Sequence, residues 1–493
     1  MKSLRPIARF EKNLSQIAEF LHLEKPDIDA KVNGLTLNTA SLESNDLFIA
    51  LKGEKSHGAS FWNPTLSAAV LTDREGAALI PSQTPLVVGE KIRDSIGDLS
   101  SWFYNKPFNS MFNVGITGTN GKTTTATLLN QIWKSQNRVS GFIGTTGIEI
   151  AGEIFATSFT TPEAPELQAI AASMVERHVT HTVMEVSSHS IVQKRINGVR
   201  FNIAAFTNLS QDHLDFHKTM DEYFEAKARL FTTEYSDLGF INIDNPYGAK
   251  LYERASIPMI AVSRLNKKAI WHYTSIEAAR GGYQVSLRGA GGVLIEGFLP
   301  LIGGHNLDNA LMAIAIAVES GVDPLAISAH LAELRGPAGR LEKVSLGQNF
   351  LALVDYAHSP DAVERVLAAV REITPGKIIA VLGCGGDRDV SKRPLMGRAL
   401  SQGSDLAVMT SDNPRSEDPE KILSEMQGEM KPSENLVIEL DRRGAIAIAV
   451  SEAGLGDTVI VLGKGHELGQ EINGIKYPFD DRIELARAIE SLS

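Results

Sequence analysis

The sequence predicts an α/β protein in three parts, spanning 1–105, 106–337 and 338–493. Three observations carry that expectation. The chain has 493 residues, too many for one hydrophobic core. Short apolar runs alternate with helical patterns twice, over about 111–245 and again from about 350. Such alternation signals mostly parallel sheets covered on both faces. Between the two series, in "ELRGPAGRLE" (333–342), Gly and Pro break the pattern and mark a linker.

Residues 1 to about 105 read as a smaller α/β region of short strands and turns, as in "VNGLTLNTASLESNDLFIALKGEKSHGASF". The first alternating series opens with the strand "MFNVGIT" and a helix, "TTTATLLNQIWKSQ". In that helix Leu128, Leu129, Ile132 and Trp133 fall near helical spacing. Further strands are "HTVMEVSS", "NIAAFTNLS" and "LGFINID". Residues 265–300 alternate like β structure and read as an excursion from the central sheet. The second series supplies "FLALVDYAH", "KIIAVLGCGG", "DLAVMTSDN", "NLVIELD" and "DTVIVLGKGHE". Its first helix begins "SPDAVERVL", where Ser359 suits the cap and Pro360 the first helical position. No internal repeat and no low-complexity segment is evident.

Bulk properties narrow the function classes. The composition is 43% hydrophobic and 22% charged, an ordinary globular profile. No apolar run is long enough to span a bilayer. The opening "MKSLRPIARFEKNL" lacks the apolar core of a secretory signal. The single cysteine, Cys384, excludes an internal disulfide and a thiolate metal cluster. A cytoplasmic protein without membrane insertion is expected. The net charge of −11 argues against a general nucleic-acid binder. It leaves room for an anionic small substrate held by a few local cations and backbone amides.

The stretch "VGITGTNGKTTTATLL" (114–129) has the look of a phosphate-binding loop with irregular spacing. The common P-loop has a glycine five positions before the glycine of its Gly-Lys-Ser/Thr end. Here that place holds Ile116, and the glycines are Gly115, Gly118 and Gly121. The physics of the loop survives. Glycines let backbone N–H groups turn inward, and a following helix adds positive potential at its N-terminus. Lys122 would bring a cation to the β- and γ-phosphates, and the Thr123 hydroxyl would face Mg²⁺. A nucleoside triphosphate is the expected ligand; a ligand-free glycine turn is the plain alternative.

The string "GTNGKTT" resembles the nucleotide loop of the Mur ligase family. Other strings agree in order: "FTTPEAPEL", "MEVSSHSIVQKRI", "FTNLSQDHLDFHKTMDEYFEAKARLF", "GGHNLDNALMAIA", "GPAGRLE", "VDYAHSPDA", "GCGGDRDVSKRPLMG", "TSDNPRSEDP" and "VLGKGHE". The resemblance covers nearly the whole chain. It implies an ATP-dependent amide ligase with an N-terminal uridine-nucleotide domain, a central P-loop-type ATPase domain and a C-terminal Rossmann-like domain. Within the family the chain is most similar to the members that add the third residue of the peptidoglycan stem peptide to UDP-N-acetylmuramoyl-L-alanyl-D-glutamate. Folylpolyglutamate synthase shares the loop logic but would not be expected to carry "TTPEAPEL" or "SDNPRSEDP".

The resemblance also implies roles. ATP would be bound by Gly118, Thr119, Asn120, Gly121, Lys122, Thr123 and Thr124, with Asn306 and Asn309 near the adenine. Arg340 and Asp355 would join when the domains close. Thr123 and Glu185 would hold a first Mg²⁺, and His213 would lie near a second. Lys227 would carry a carbamate supporting that second ion, which requires a neutral amine first. Without the family, Lys227 reads as a solvated helix lysine and His213 as structural. Lys122, Glu185, His213 and Lys227 together form the expected catalytic set. Thr160, Thr161, Ser187, Gln193 and Arg195 would contact the muramoyl dipeptide. The family's Asp-Ser-Arg near the uridine appears here as Asn38, Thr39 and Ala40, so Thr39 alone keeps a hydroxyl. The loop Glu54-Lys55-Ser56 is a second uridine candidate.

Asp412, Asn413, Pro414 and Arg415 match the motif that reads the added amino acid, with Arg388, Gly463 and Glu467 completing the pocket. An arginine at 415 suits meso-2,6-diaminopimelate, whose far carboxylate a guanidinium can pair bidentately. Glu467 would hold the far amino group. L-Lysine or L-ornithine is the alternative amine. A small-molecule kinase using the same loop is the alternative from another class. The protein is expected to act as a monomer.

Overall fold

The computed structural model describes residues 4–8, 10–53, 55–430 and 435–492, apart from the side chain of Asp215. Glu54 of the candidate uridine loop lies outside the described residues. The described chain is an α/β protein that clusters into two compact units. One unit comprises Met1–His272, Arg288–Val293 and Asp308–Ile327; the other comprises Tyr273–Leu287, Leu294–Leu307 and Ser328–Ser493.

Besides the short pair Lys12–Asn13 and Lys31–Val32, two larger sheets build the first unit. Near the N-terminus four parallel strands run in the order Gly34–Thr36, Asp46–Ala50, Ser67–Thr72 and Leu86–Val88. Their core joins Leu47, Ile49 and Leu71 to Ile96, Leu99 and Phe103 of the helix Ile92–Phe103. The same cluster includes Ala164, Ala169 and Ala172 of the helix Ala164–Glu176. The N-terminal layer thus shares a core with the central sheet's own helix, and alanines on the shared face allow close approach.

The central sheet sets the position of the loop. Its parallel strands run in the order Ser140–Gly144, His181–Glu185, Phe112–Thr117, Phe201–Phe206, Ser236–Asn242 and Met259–Ser263. The first strand in sequence, Phe112–Thr117, is therefore interior. The chain moves to one side for Ser140–Gly144 and His181–Glu185, then to the other for Phe201–Phe206. The loop after Thr117 opens where the winding reverses, the place where open α/β sheets bind ligands. The strand expected across "NIAAFTNLS" stops at Phe206. Its polar end, Thr207 to Ser210, is used to brace the loop instead. The loop helix runs Lys122–Ser135, starting one residue before Thr123.

In the second unit six strands run in the order Glu342–Val344, Leu351–Asp355, Thr458–Leu462, Ile378–Cys384, Leu406–Ser411 and Leu436–Ile438. All neighbours are parallel except the first pair. The strands are continuous apolar runs, such as Thr458–Leu462 with all five residues buried, as expected when helices cover both faces. The helix Pro360–Arg371 starts with Ser359 at its cap and Pro360 at its first position, although the Ser359 side chain makes no capping bond. The β-rich residues 265–300 form strands Trp271–Ala279, Gly282–Arg288 and Leu294–Leu299. Much of that excursion belongs to this unit: the Tyr283 hydroxyl donates to Glu372 at 3.3 Å.

Candidate active site

The loop is built on two glycines that tolerate no side chain. Gly118 has φ +147°, and a Cβ there would lie 2.0 Å from Thr207 Oγ1. Gly121, at φ +86°, caps the helix, and its Cβ would lie 2.2 Å from Asn309 Oδ1. Both adopt left-handed backbone that favours glycine. The polar stretch after Phe206 braces the turn between them. Thr119 N donates to Asn208 O at 2.8 Å, Asn120 N to Asn208 Oδ1 at 3.0 Å, and Thr207 Oγ1 to Asn120 O at 2.6 Å. Tyr223 hydroxyl and Thr119 Oγ1 lie 3.2 Å apart. Burial pushes the Tyr223 phenol up to about 12, so it stays a neutral hydrogen-bonding group.

Two lysines share one carbonyl of this loop. Lys122 Nζ donates to Gly118 O at 3.0 Å and Thr119 O at 2.8 Å. Lys227 Nζ, on the buried face of the helix Met220–Ala228, donates to the same Gly118 O at 2.9 Å. Burial, and then the nearby Lys122 charge, hold Lys227 well below the usual lysine range, with Asp212 opposing. The sequence-only reading of Lys227 as a solvated lysine is corrected here: it is 1% exposed. The helix Met220–Ala228 turns that side inward, over the Tyr223 ring at 4.7 Å. A buried, neutral-leaning amine beside a phosphate loop is unusual chemistry.

Glu185 ends its strand directly beside the loop strand, in register with Ile116. It is fully buried. Its carboxylate accepts from Thr145 N at 2.9 Å and Thr145 Oγ1 at 3.3 Å, and no cation among the described residues pairs with it. A buried carboxylate with only neutral donors suits a bound cation. Thr123 is half-buried in the first turn of the loop helix. Among the described residues no three acidic, His or Cys side chains cluster as metal ligands. Glu185 and Thr123 are the oxygen donors here that could hold a hard cation, which commonly takes one or two carboxylates alongside substrate phosphates. His213 is exposed, with its ring edge-on to His189 at 4.9 Å and 3.6 Å from the Asp212 carboxylate.

The residues expected around the muramoyl dipeptide form one cluster beyond Glu185. Thr160 Oγ1 lies 3.0 Å from Thr145 Oγ1, and buried Thr161 donates to Glu185 O at 2.8 Å. Ser187 caps the short helix Ser188–Val192 through Ser190 N. Arg195 donates to Thr161 O at 3.0 Å and to Gln193 Oε1 at 2.6 Å, and pairs with Glu163 at 2.9 Å. The guanidinium thus ties the 161–163 segment to its own, 193–195. Thr39 opens the short 3-10 turn Thr39–Ser41 at the end of the N-terminal sheet's first strand, with the Asn38 side chain accepting from Ala40 N.

A second cluster gathers at the C-terminal ends of the strands in the second unit. Asp355 is buried and accepts from Leu341 N and Ala357 N, both at 2.7 Å, so it pins the start of the 341–344 segment. Burial raises its carboxyl above the usual range. Arg340 stacks over the Tyr356 ring at 5.1 Å. Asn306 donates to Ile302 O at 2.9 Å, a local helix-end contact. Gly385 lies between the two expected arginines: a Cβ there would sit 3.1 Å from Arg415 Nη1 and 3.8 Å from Arg388 Cγ. Asn413 Nδ2 donates to Glu467 Oε2 at 2.9 Å. Gly463 has φ +110°, and its Cβ would meet Asp412 Oδ2 at 2.8 Å. Arg388, Asp412, Asn413, Pro414, Arg415, Gly463 and Glu467 are thus brought together. Burial lifts Asp412, while Asn413 and Lys464 outweigh burial at Glu467 and hold it low.

Several residues around these sites escaped the sequence reading. Thr145 bonds the Glu185 carboxylate, and Thr207, Asn208 and Tyr223 support the loop; only the polar run following an apolar strand hinted at two of them. Arg442 is fully buried, bonded to both oxygens of Asp481 at 2.7 Å and to Leu462 O at 2.9 Å.

Comparison with known proteins agrees with this geometry. Residues 116–317 match the Mur ligase middle domain, and residues 339–465 match the Mur ligase glutamate ligase domain. A UDP-N-acetylmuramoyl-L-alanyl-D-glutamate–2,6-diaminopimelate ligase of Streptomyces coelicolor is 43% identical, over 99% of this chain and 98% of the relative. The same-named ligase of Streptomyces avermitilis is 42% identical, over 97% and 96%. A solved structure of a ligase of that name superposes with a TM-score of 0.74 at 32% identity, covering 94% of this chain and 95% of the other. With a phosphate loop braced as described and relatives this similar along nearly its whole length, the chain belongs to the Mur ligase family.

Proposed function

We propose that this chain is the ATP-dependent amide ligase that adds meso-2,6-diaminopimelate, as the third stem-peptide residue, to UDP-N-acetylmuramoyl-L-alanyl-D-glutamate in peptidoglycan synthesis. The observation that carries the choice of amino acid is the pocket at the strand ends. The Arg415 guanidinium and the stem of Arg388 flank Gly385, and Asn413, close to the same glycine, donates to the Glu467 carboxylate. An amino acid with both a carboxylate and an ammonium at its far end meets both signs of charge there.

The chemistry follows from the groups present. An amide ligase turns an unreactive carboxylate into an acyl donor. The dipeptide carboxylate attacks the γ-phosphate of ATP to give an acyl phosphate, and the amine displaces phosphate through a tetrahedral intermediate. Phosphoryl transfer needs positioning and cancellation of negative charge. Lys122, which donates to carbonyls of its own loop, would turn its ammonium to the transferring phosphoryl group, with loop N–H groups from Gly118 to Thr124 around the phosphates. Thr123 and Glu185 would hold Mg²⁺, which would neutralise phosphate charge. His213 and a carbamylated Lys227 would serve a second ion; the buried, low-pKa amine of Lys227 supports carbamate formation. Asn306, Asn309, Arg340 and Asp355 would complete the ATP site. Thr39, Thr160, Thr161, Ser187, Gln193 and Arg195 would hold the muramoyl dipeptide. Segments 1–105, 106–337 and 338–493 would serve uridine, ATP and the amino acid respectively. No described helix is long and apolar enough to cross a membrane. The reading is of a cytoplasmic monomer acting in wall synthesis, cell shape and division.

Inorganic phosphate should appear only when ATP, muramoyl dipeptide and amino acid are all present. A stable phosphorylated product without the amino acid would favour a kinase and overturn the ligase reading. Initial rates with meso-diaminopimelate, L-lysine and L-ornithine decide the amine. Diaminopimelate should be the fastest, and its lead should collapse in Arg415→Met.

A further inference from the structure

We infer that Lys464 is a positioning residue for the diamino acid, holding Glu467 and Asn413 in the orientation that grips the far ammonium. The inference rests on the amino-acid pocket proposed above. Lys464 has no solvent exposure. Its Nζ donates to Asn413 Oδ1 at 3.0 Å and to Glu467 Oε2 at 3.3 Å, and stands 3.9 Å from Asp412 Oδ1. A lysine is seldom fully buried in its charged form without partners for its ammonium. Here its partners are three residues of one pocket.

The ammonium decides which way the Asn413 amide faces. Asn413 Oδ1 accepts from Lys464 and from Glu471 N at 2.9 Å, so Nδ2 is directed at Glu467. Both donors, Asn413 Nδ2 and Lys464 Nζ, converge on Glu467 Oε2. Oε1 has no protein donor among the described residues, on a side chain 35% exposed. That oxygen remains for an incoming N–H group. The charges agree: the carboxylates of Asp412, Glu467 and Asp481 face the cations of Arg442 and Lys464. Replacing Lys464 frees Glu467 and Asn413 to rotate, which weakens the grip on the amino acid and leaves the nucleotide contacts alone.

The test is steady-state kinetics of Lys464→Met and of Lys464→Gln, which keeps a donor but loses the charge. For Lys464→Met the KM for meso-diaminopimelate should rise about tenfold or more, roughly the effect of losing one charged hydrogen bond. The KM values for ATP and muramoyl dipeptide should stay within about twofold, and Lys464→Gln should fall between Met and wild type. A double-mutant cycle with Glu467→Gln should be non-additive, the double variant being little worse than Glu467→Gln alone. An unchanged KM for diaminopimelate, a uniform rise in all three KM values, or additivity would overturn the inference. If Lys464→Met does not fold, Lys464→Gln is read by the same criteria. Wild-type enzyme that fails to ligate diaminopimelate would instead remove the functional reading beneath it, a result visible before any variant is made.

Discussion

At the residue scale, Lys227 departs furthest from what its type predicts. An ammonium at 1% exposure, next to the Lys122 ammonium, is disfavoured on both counts, and its folded pKa lies well below the ordinary 10.5. The sign of its linkage follows. Between the lowered folded pKa and the unfolded value, the unfolded chain binds more protons at this site. Its contribution to stability therefore rises with pH through that window and is lost as pH falls through the folded pKa. Urea unfolding of wild type and Lys227→Met from neutral pH to pH about 10 should show wild type gaining on the variant as pH rises. Equal slopes would contradict the burial. The same neutral amine can react with CO₂, so ¹³C-bicarbonate should give a carbamate NMR signal that Lys227→Met lacks. Lys122 and Thr123 were legible from their place after Gly121. The fate of Lys227 was legible only through family resemblance, because a helix lysine carries no local mark of which face its helix buries.

At the element scale, the loop and its braces form one unit. Gly121 at φ +86°, with no room for a Cβ against Asn309, makes Gly121→Ala a backbone and a contact fault together. We expect a cost of about 1–3 kcal/mol in denaturant stability, with nucleotide affinity falling as well. The Arg442–Asp481 pair ties the helices Arg442–Ser451 and Asp481–Glu490 to the strand Thr458–Leu462. Asp481→Asn leaves a buried guanidinium short of its counter-charge, and should cost about 3–5 kcal/mol in the same measurement. Apolar runs such as "FNVGIT" were plain in sequence because both faces of the strand are covered, as in Phe112–Thr117. The end of "NIAAFTNLS" was misjudged for a physical reason: Thr207 and Asn208 spend their polar groups on the neighbouring loop, not on a ladder.

At the scale of the whole molecule, the chain passes between its two compact units five times, after residues 272, 287, 293, 307 and 327. A fragment of 338–493 alone would lack strands that belong to its unit, including Tyr283 and its bond to Glu372. We expect that fragment to unfold at lower urea than the same region in the intact chain; equal midpoints would show that the strands add nothing. By itself the sequence determined the α/β class, the two alternating series, the phosphate loop and, through its strings, the family. Those depend on local periodicity and on residue types whose chemistry is short-ranged. Only the tertiary structure decided that Lys227 and Lys122 meet on one carbonyl, that Glu185 is buried with no cation beside it among the described residues, and that buried Lys464 bonds both Asn413 and Glu467. Each of those facts is set by contacts between residues tens to hundreds of positions apart, and burial, which fixes their charge, exists only once those contacts form.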